Sequence, residues 1–235
     1  MRSDVRVVAY RDRAPRIECR GGIAARLTAD DAVHLVSTAA TPLGGDVIRV
    51  HLIVEAGARL HLRSVAATVA LPAATTLESQ VCWRLEVAGE LDVDPQPTVV
   101  AADACHESQT TLYIGSGAVV RLRERVQIGR TDEREGLWTG TLRADLDGAA
   151  LLRHRVELGA GSVADDELGA PLACVSEFRY PADETDLAAV PLRLAGGGCL
   201  STWQGASLPP SPRFEPSTRS PRVARGACGR TPAAR

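Results

Sequence analysis

Apolar and polar residues alternate with a period of two along most of this chain. Residues 46–54, DVIRVHLIV, place aliphatic side chains on one face of an extended strand and Arg49 and His51 on the other. Residues 58–63, ARLHLR, repeat the alternation, with His61 on the polar face. The same pattern returns, with Gly, Pro or Asp between the segments, in residues 33–36, 81–87, 111–114, 119–126, 142–146 and 151–158. Many short strands with turn residues between them are typical of an all-β architecture, so the sequence predicts an all-β fold.

Helical signals are weak and late in the chain. Ser162 followed by Asp165 and Asp166 resembles the capping arrangement that opens a helix, and Gly169 would end it. The predicted fold class is therefore all-β with one or two short helices.

Composition divides the chain into two parts. It has 235 residues, of which 45% are hydrophobic, enough for one domain with a buried core. We expect residues 1–206 to form that single β-rich domain. Residues 207–235 are rich in Pro, Arg, Ser and Gly and show no periodicity, a composition that buries too little surface to offset the entropy of ordering. They are predicted to form a disordered tail, which trypsin should remove first.

Charge and hydropathy exclude two kinds of partner. All 27 basic residues are Arg, and 29 acidic residues bring the formal net charge to −2, which argues against a nucleic-acid binder of the basic kind. The sequence has no run of about 18 apolar residues that would span a membrane. Its first twenty residues lack the apolar core of a secretion signal. We therefore expect a cytoplasmic protein that binds neither nucleic acid nor a membrane.

Sequence motifs of common enzyme classes are absent. The chain contains no GxSxG elbow, HExxH helix, GxxxxGK(S/T) phosphate loop or GxGxxG turn. Its six cysteines are scattered without a CxxC pair, which suits reduced thiols better than a structural zinc site. No tightly bound cofactor is expected. A small β-sheet hydrolase or isomerase that uses dispersed acids and histidines remains an alternative.

A β-hairpin is predicted from residues 46–54 and 58–63. Their apolar faces must lie together, and a three-residue turn at Glu55–Gly57 keeps both faces in register. His51 then lies opposite His61, with Cβ atoms about 5 Å apart. Two imidazoles so placed would suit nickel or zinc. The alternative is an exposed polar face that carries two unrelated histidines.

The sequence TPLGGD at residues 41–46 leads into the first of these strands. Pro42 fixes its own φ, and Gly44 and Gly45 permit positive φ. Asp46 can accept hydrogen bonds from neighbouring backbone amides. Either the segment is a tight turn that feeds the strand, or it presents the Asp46 carboxylate to a partner or an ion.

Six short motifs follow one another along the chain. They are Pro-x-Gly-Gly-Asp at residues 42–46, Gly57-Ala58, Ala66-Ala67-Thr68, Pro95-Gln96-Pro97-Thr98, Gly129-Arg130 and Glu135-Leu137-Trp138. In this order and at these separations they resemble the urease accessory protein UreD (UreH) family, most clearly over residues 42–140. The resemblance implies a β-helical, stacked-sheet scaffold without enzymatic activity.

The resemblance also implies partners and cargo. Members of that family bind the urease apoprotein together with the accessory proteins UreF and UreG, the latter a GTPase, and the complex delivers nickel in a GTP-dependent step. Nickel would then be transient cargo and not a resident cofactor. The matching positions make Gly44, Gly45, Asp46, Thr68 and Glu135 candidates for a partner surface or a nickel path. The alternative function is a β-rich protein-binding module with no metal role.

The chain departs from the family pattern after the Gly57-Ala58 motif. The family usually has Leu-Thr-Thr-Gln and then Thr-Lys-x-Tyr, whereas residues 62–65 here are LRSV and residues 68–71 are TVAL. If those family residues line a route for ions, that route is altered in this chain.

Overall fold

The computed structural model describes residues 1–163, 165, 171–182 and 184–210. Within these residues the chain forms seventeen strands and no helix. In chain order the strands are β1 Arg2–Ala9, β2 Arg16–Arg20, β3 Ile23–Ala29, β4 Ala32–Ser37, β5 Val47–Val54, β6 Arg59–Ser64, β7 Thr68–Ala70, β8 Glu78–Val87, β9 Glu90–Val93, β10 Thr98–Val100, β11 Cys105–Ile114, β12 Val119–Ile128, β13 Leu137–Leu146, β14 Ala149–Gly159, β15 Ala173–Tyr180, β16 Leu192–Arg193 and β17 Cys199–Gly205. The all-β prediction is confirmed.

The strands form two sheets. Sheet A has seven strands in the order β14-β13-β11-β8-β5-β1-β2. Sheet B has the order β16-β17-β15-β12-β9-β6-β4-β3, and the short strands β10 and β7 attach to it beside β12. Pairing is parallel in the middle of each sheet and antiparallel towards the edges.

Successive strands alternate between the sheets, so the chain winds as a solenoid. β5, β8 and β11 lie in sheet A, and each is followed by a strand of sheet B, namely β6, β9 and β12. Equivalent strands of successive coils stack in parallel within each sheet. β7 and β10 also pair in parallel with each other, and β10 pairs in parallel with the end of β12. The β-helical, stacked-sheet arrangement expected from the family resemblance is present.

Apolar residues of the alternating pattern point between the sheets. Val50 and Leu52 of β5 are at most 1% exposed, and Leu60 and Leu62 of β6 are fully buried. All four belong to one core cluster. Burying an aliphatic side chain of this size stabilises the fold by roughly 1.5–3 kcal/mol, so the alternation decides which face of each strand turns inward.

The predicted hairpin between residues 46–54 and 58–63 is wrong. β5 pairs with β1 and β8 in sheet A, whereas β6 pairs with β4 and β9 in sheet B. The two strands therefore face each other across the core and share no hydrogen-bonded ladder. Their apolar faces do meet, because contact between two sheets satisfies the alternation as well as pairing within one sheet. His51 and His61 point away from the core, and so lie on opposite outer surfaces of the solenoid.

Two further predictions fall partly outside the described residues. No helix occurs among the described residues, and the segment between Ser162 and Gly169 that was predicted to form one lies mostly outside them. The predicted tail, residues 207–235, is described only as far as residue 210. The division into residues 1–206 and a disordered tail thus stays a prediction. Over its described length, the chain has no helix with the length and hydropathy of a membrane span.

Candidate functional site

The turn before β5 buries its carboxylate instead of presenting it to the surface. Asp46 is 4% exposed. Its Oδ2 accepts hydrogen bonds from the Thr41 hydroxyl at 2.8 Å and the Leu43 amide at 2.9 Å, and its Oδ1 accepts one from the Met1 ammonium. Burial alone would raise the pKa of Asp46, but these hydrogen bonds outweigh it and lower the pKa below the ordinary value of 3.8. The geometry favours the structural interpretation of the turn.

Both glycines of the turn occupy positions where the backbone geometry disfavours any other residue. The Gly44 amide donates a hydrogen bond to the Leu71 carbonyl at 2.9 Å, and a Cβ on Gly44 would overlap the carbonyl oxygen of Thr76. Gly45 has a φ of +85°, in the left-handed region that favours glycine. Its amide donates to the Glu78 carbonyl at 2.7 Å. The turn is thereby docked against the segment that joins β7 to β8.

Thr68 and Glu135 occupy different environments. Thr68 begins β7, pairs with Thr98 of β10, and lines an internal cavity. Glu135 is exposed in the loop before β13, where its Oε2 accepts a hydrogen bond from the Arg134 amide at 3.0 Å. Glu135 does not line that cavity. The structure thus does not bring these two candidate residues together.

His51 and His61 each contact carboxylates of their own sheet. His51 Nε2 lies 2.9 Å from Glu86 Oε1 on the outer face of sheet A. His61 lies between Asp31 and Asp92 on the outer face of sheet B, with nitrogen-to-oxygen distances of 3.7 and 3.5 Å. The juxtaposition of the two imidazoles, on which the metal-site hypothesis rested, is wrong. Among the described residues, no three His, Cys, Asp or Glu side chains are arranged to hold a metal ion.

An internal cavity of about 270 Å³ lies between the two sheets. Its walls are largely the apolar inward faces of the strands, including Ile48, Leu85 and Phe178. Val65 and Ala67 also line it and are exposed, so the cavity reaches the surface beside β7. One water molecule needs about 15 Å³, and the cavity therefore has room for several.

Polar side chains interrupt the apolar lining on β11 and β12. His106 and Ser108 take inward positions of β11 and are buried. Glu124 takes an inward position of β12, between Leu122 and Val126. The Ser108 hydroxyl donates a hydrogen bond to Glu124 Oε1 at 2.5 Å. Burial raises the pKa of Glu124 above its ordinary value of 4.5, and the hydrogen bond offsets only part of that effect.

Two histidines in the same cavity favour the neutral form. His106 is 4% exposed, and its Nδ1 lies 2.9 Å from the Ser79 hydroxyl oxygen. Burial lowers the pKa of His106 to about 4 and also lowers the pKa of His154. His154 Nε2 and the Trp138 indole nitrogen are buried without a hydrogen-bond partner in the described part of the chain. Since a buried polar atom without a partner costs free energy, we expect cavity water or a passing ligand to bind at these two atoms.

Comparison with known proteins decides the family. A family model described as UreD urease accessory protein matches residues 22–193, well over half of the chain. The chain belongs to the UreD urease accessory protein family.

Individual UreD proteins align with different shares of the chain. Urease accessory protein UreD 1 of Saccharopolyspora erythraea is 34% identical over 197 residues, which cover 78% of this chain and 75% of that protein. UreD of Frankia alni is 48% identical over 120 residues, 50% of this chain and 40% of the Frankia protein. UreD of Frankia casuarinae is 38% identical over 157 residues, 64% of this chain and 49% of that protein. The chain thus spans half or less of the two Frankia relatives.

The motifs of this UreD-family chain do not include its polar interior residues, although the strand pattern of the sequence indicates them. Glu124 occupies the apolar phase of the segment 119–126, where the alternation calls for an aliphatic side chain. His106 and Ser108 likewise precede Leu112 in the inward phase of β11. Charged or imidazole side chains in the apolar phase of a strand indicate a polar interior, but only the coiled fold shows that they line one cavity.

Proposed function

We propose that this chain is a non-enzymatic scaffold for urease maturation. It binds the urease apoprotein together with UreF and the GTPase UreG, and it takes part in GTP-dependent nickel incorporation in the cytoplasm. Nickel is transient cargo, and it passes through the interior cavity of the solenoid. Family membership supports the maturation role. The polar groups that interrupt an otherwise apolar interior support the passage of an ion.

The single observation behind the proposed nickel path is the set of donors in the cavity. Imidazole nitrogens and carboxylates are ligands that suit nickel, and His106, His154 and Glu124 line the same space without forming a site that would hold the ion between all three, as a path for passing cargo requires. Thr68 lines the cavity beside the surface opening at Val65. The proposed path therefore keeps one of the candidate residues that the family pattern supplied and replaces the others with interior side chains.

The protonation states suit brief binding. The two histidines favour the neutral form, which leaves a nitrogen lone pair for a metal ion, and no positive charge on the imidazoles repels the cation. The pKa of Glu124 is raised by burial, and an approaching divalent cation would lower it again because opposite charge favours the carboxylate. The ion thereby favours the charged carboxylate that binds it.

Nickel loading of urease in cells tests the proposal. Urease is co-expressed with the accessory proteins and with wild-type chain, Glu124→Leu, Glu124→Gln or Glu55→Gln, and the nickel content of the purified urease is measured. Glu55 is exposed in the turn after β5 and provides the matched control. We expect Glu124→Leu to lower nickel per urease several-fold while co-purification with the apoprotein is retained, and Glu55→Gln to match wild type.

Two outcomes would contradict the proposal at different levels. Normal nickel loading with Glu124→Leu would exclude the interior path but leave the scaffold role standing. Normal loading after deletion of the whole chain would exclude the maturation role itself. Binding of the apoprotein without any effect on loading would favour the β-rich binding module with no metal role.

A further inference from the structure

Charges on the outer face of sheet B are matched from strand to strand. β6 presents basic side chains, β9 acidic ones and β12 basic ones. Two ion pairs illustrate this matching. Arg59 Nε lies 2.9 Å from a Glu90 carboxylate oxygen, and Arg125 Nη2 lies 2.7 Å from an Asp94 carboxylate oxygen. Opposite charges on adjacent strands stabilise a sheet. The charges of β6, β9 and β12 are therefore matched within this face.

The outer face of sheet A instead carries a row of four arginines, interrupted by one histidine and one threonine. The strand register places Arg6 beside His51, His51 beside Arg84, Arg84 beside Thr111, Thr111 beside Arg143 and Arg143 beside Arg153. The row crosses six strands, and strands lie about 4.8 Å apart, so it is about 24 Å long. Like charges directly opposite on neighbouring strands are unfavourable. Arg143 and Arg153, which lie directly opposite each other, therefore cost stability within the isolated chain.

Neighbouring acids neutralise only part of this row. Glu86 contacts both His51 and Arg84, with distances of 2.9 and 2.7 Å, and Asp145 contacts Arg153 at 2.5 Å. Glu18 of β2 lies beside Arg6 at the end of the row, but its ion pair is with Arg16.

Two arginines of the row form no ion pair among the described residues. No ion pair joins Arg6 or Arg143 to an acid in the part of the chain that the structure describes. Arg143 is exposed and Arg6 is half-buried. Two guanidinium groups on the outer face of sheet A are thus available to acceptors on another molecule.

We propose that the outer face of sheet A docks an acidic surface of a partner protein along the row from Arg6 to Arg153. An arginine fork binds carboxylates through paired hydrogen bonds, and Thr111 adds a neutral hydroxyl in the middle of the row. The length of about 24 Å matches four to five turns of a helix or a strand of about seven residues. The proposal rests on the proposed function only for the choice of apo-urease with its accessory proteins as the partner assembly.

Charge distribution favours an acidic protein over a nucleic acid as the occupant. Asp4, Glu86 and Asp145 lie on the same face, in the rows on either side of the arginines. A continuous phosphate backbone would meet these acids, whereas a protein surface can place basic or neutral groups against them. The net charge of −2 also lacks the strong basic excess of nucleic-acid binders.

Charge reversal at the two unmatched arginines tests the proposal. Binding of fluorescent poly-L-glutamate is measured at about 0.1 M and about 0.5 M salt for wild type, Arg6→Glu/Arg143→Glu, Arg143→Glu alone and Arg26→Glu. Arg26 is exposed on the edge strand of sheet B, and Arg26→Glu changes the net charge by the same amount as Arg143→Glu. We expect the double variant to bind about tenfold more weakly at the lower salt, Arg26→Glu to bind like wild type, and wild-type binding to fall with salt. Arg143→Glu, at an exposed position, keeps the test decisive if the double variant does not fold.

The same variants are then compared in co-purification with apo-urease and its accessory proteins. The proposal is supported if the double variant loses both the binding of poly-L-glutamate and the co-purification with apo-urease and its accessory proteins. It is overturned if wild type does not bind poly-L-glutamate, if Arg26→Glu weakens binding equally, or if the assembly tolerates the double variant. Tighter binding of a DNA duplex through the same arginines would assign the face to a nucleic acid. If even wild type fails to co-purify with apo-urease, the proposed function fails, and the poly-L-glutamate result alone decides this proposal.

Discussion

Ser108 of β11 donates a hydrogen bond of 2.5 Å to Glu124 of β12, and this contact crosses the interior from sheet A to sheet B. Both residues occupy inward positions that aliphatic side chains hold elsewhere on the same strands. A polar contact in this place stabilises the core less than close apolar packing would. It keeps an acid and a hydroxyl inside the cavity, where a cation can meet them.

Protonation of His106 should lower the stability of the fold as the pH falls. The pKa of His106 is about 4 in the folded chain, against an ordinary 6.5, so the unfolded chain takes up the proton first as the pH falls. The free energy of unfolding should therefore decrease by about 3 kcal/mol between the ordinary and the folded pKa. His106→Asn keeps a polar atom for Ser79 but cannot be protonated. Urea unfolding across this pH range should show a smaller decrease for the variant, and identical slopes would contradict the prediction.

Glu124 should act in the opposite direction. Burial raises its pKa above 4.5, so the folded chain retains a proton that the unfolded chain has released. This contribution to stability is present at low pH and is lost as the pH rises above the ordinary pKa. Glu124→Gln should therefore raise the free energy of unfolding relative to wild type at pH about 8, and by less at pH about 4.5. A gain that does not depend on pH, or one that Glu55→Gln reproduces, would show that protonation of Glu124 is not the cause.

Substitution of Asp46 should first of all lower the stability of the fold. Asp46→Ala removes the acceptor for the Thr41 hydroxyl and the Leu43 amide, and should lower the free energy of unfolding by about 2–4 kcal/mol. Asp46→Asn keeps an acceptor oxygen and should lose about 1 kcal/mol. Asp12→Ala, in an exposed turn, is the control. If Asn maintains both stability and urease activation, the role is structural, and if it abolishes activation in a stable chain, the charge itself is required.

The two glycines of the same turn should differ in sensitivity. Gly44→Ala forces a Cβ into the carbonyl of Thr76 and should cost about 3 kcal/mol or more, because backbone atoms must move. Gly45→Ala meets no atom within 4 Å but must hold a φ of +85°, which costs about 1 kcal/mol. Chemical denaturation of both variants measures the difference. Equal losses would show that the segment around Thr76 yields easily.

The charge pairs of sheet B should differ in strength with burial. Glu177 is fully buried and accepts hydrogen bonds from Arg123 and Arg179, each at 2.6 Å. Glu177→Gln removes the buried charge that both guanidinium groups contact, leaving Arg123, among the described residues, only Asp94 at 3.9 Å and Arg179 only the exposed Asp186, and should cost about 3 kcal/mol. Glu90→Gln breaks the exposed pair with Arg59 and should cost less than about 1 kcal/mol. Similar losses for the two variants in urea unfolding would argue against burial as the deciding factor.

The sequence alone determined the fold class and the inward face of the strands. The alternation in residues 46–54 and 58–63 identifies which side chains avoid water, because successive strand residues point to opposite faces. It does not say what buries them. The partners of β5 lie far away along the chain, in β1 and β8, and local pattern carries no information about such distant pairing. The predicted hairpin was therefore wrong, and so was the predicted juxtaposition of His51 and His61.

The same division holds for the candidate site. The Gly-Gly-Asp turn could be recognised from residues 42–46, because its conformation depends on glycine freedom and on hydrogen bonds a few residues apart. Thr68 and Glu135 were found through family resemblance, and only the coiled fold shows that Thr68 alone lines the cavity. Glu124, His106 and His154 come from three strands of two sheets. Only the stacking of coils brings them to one interior space, because burial by opposing sheets is a property of the whole solenoid and not of any single strand.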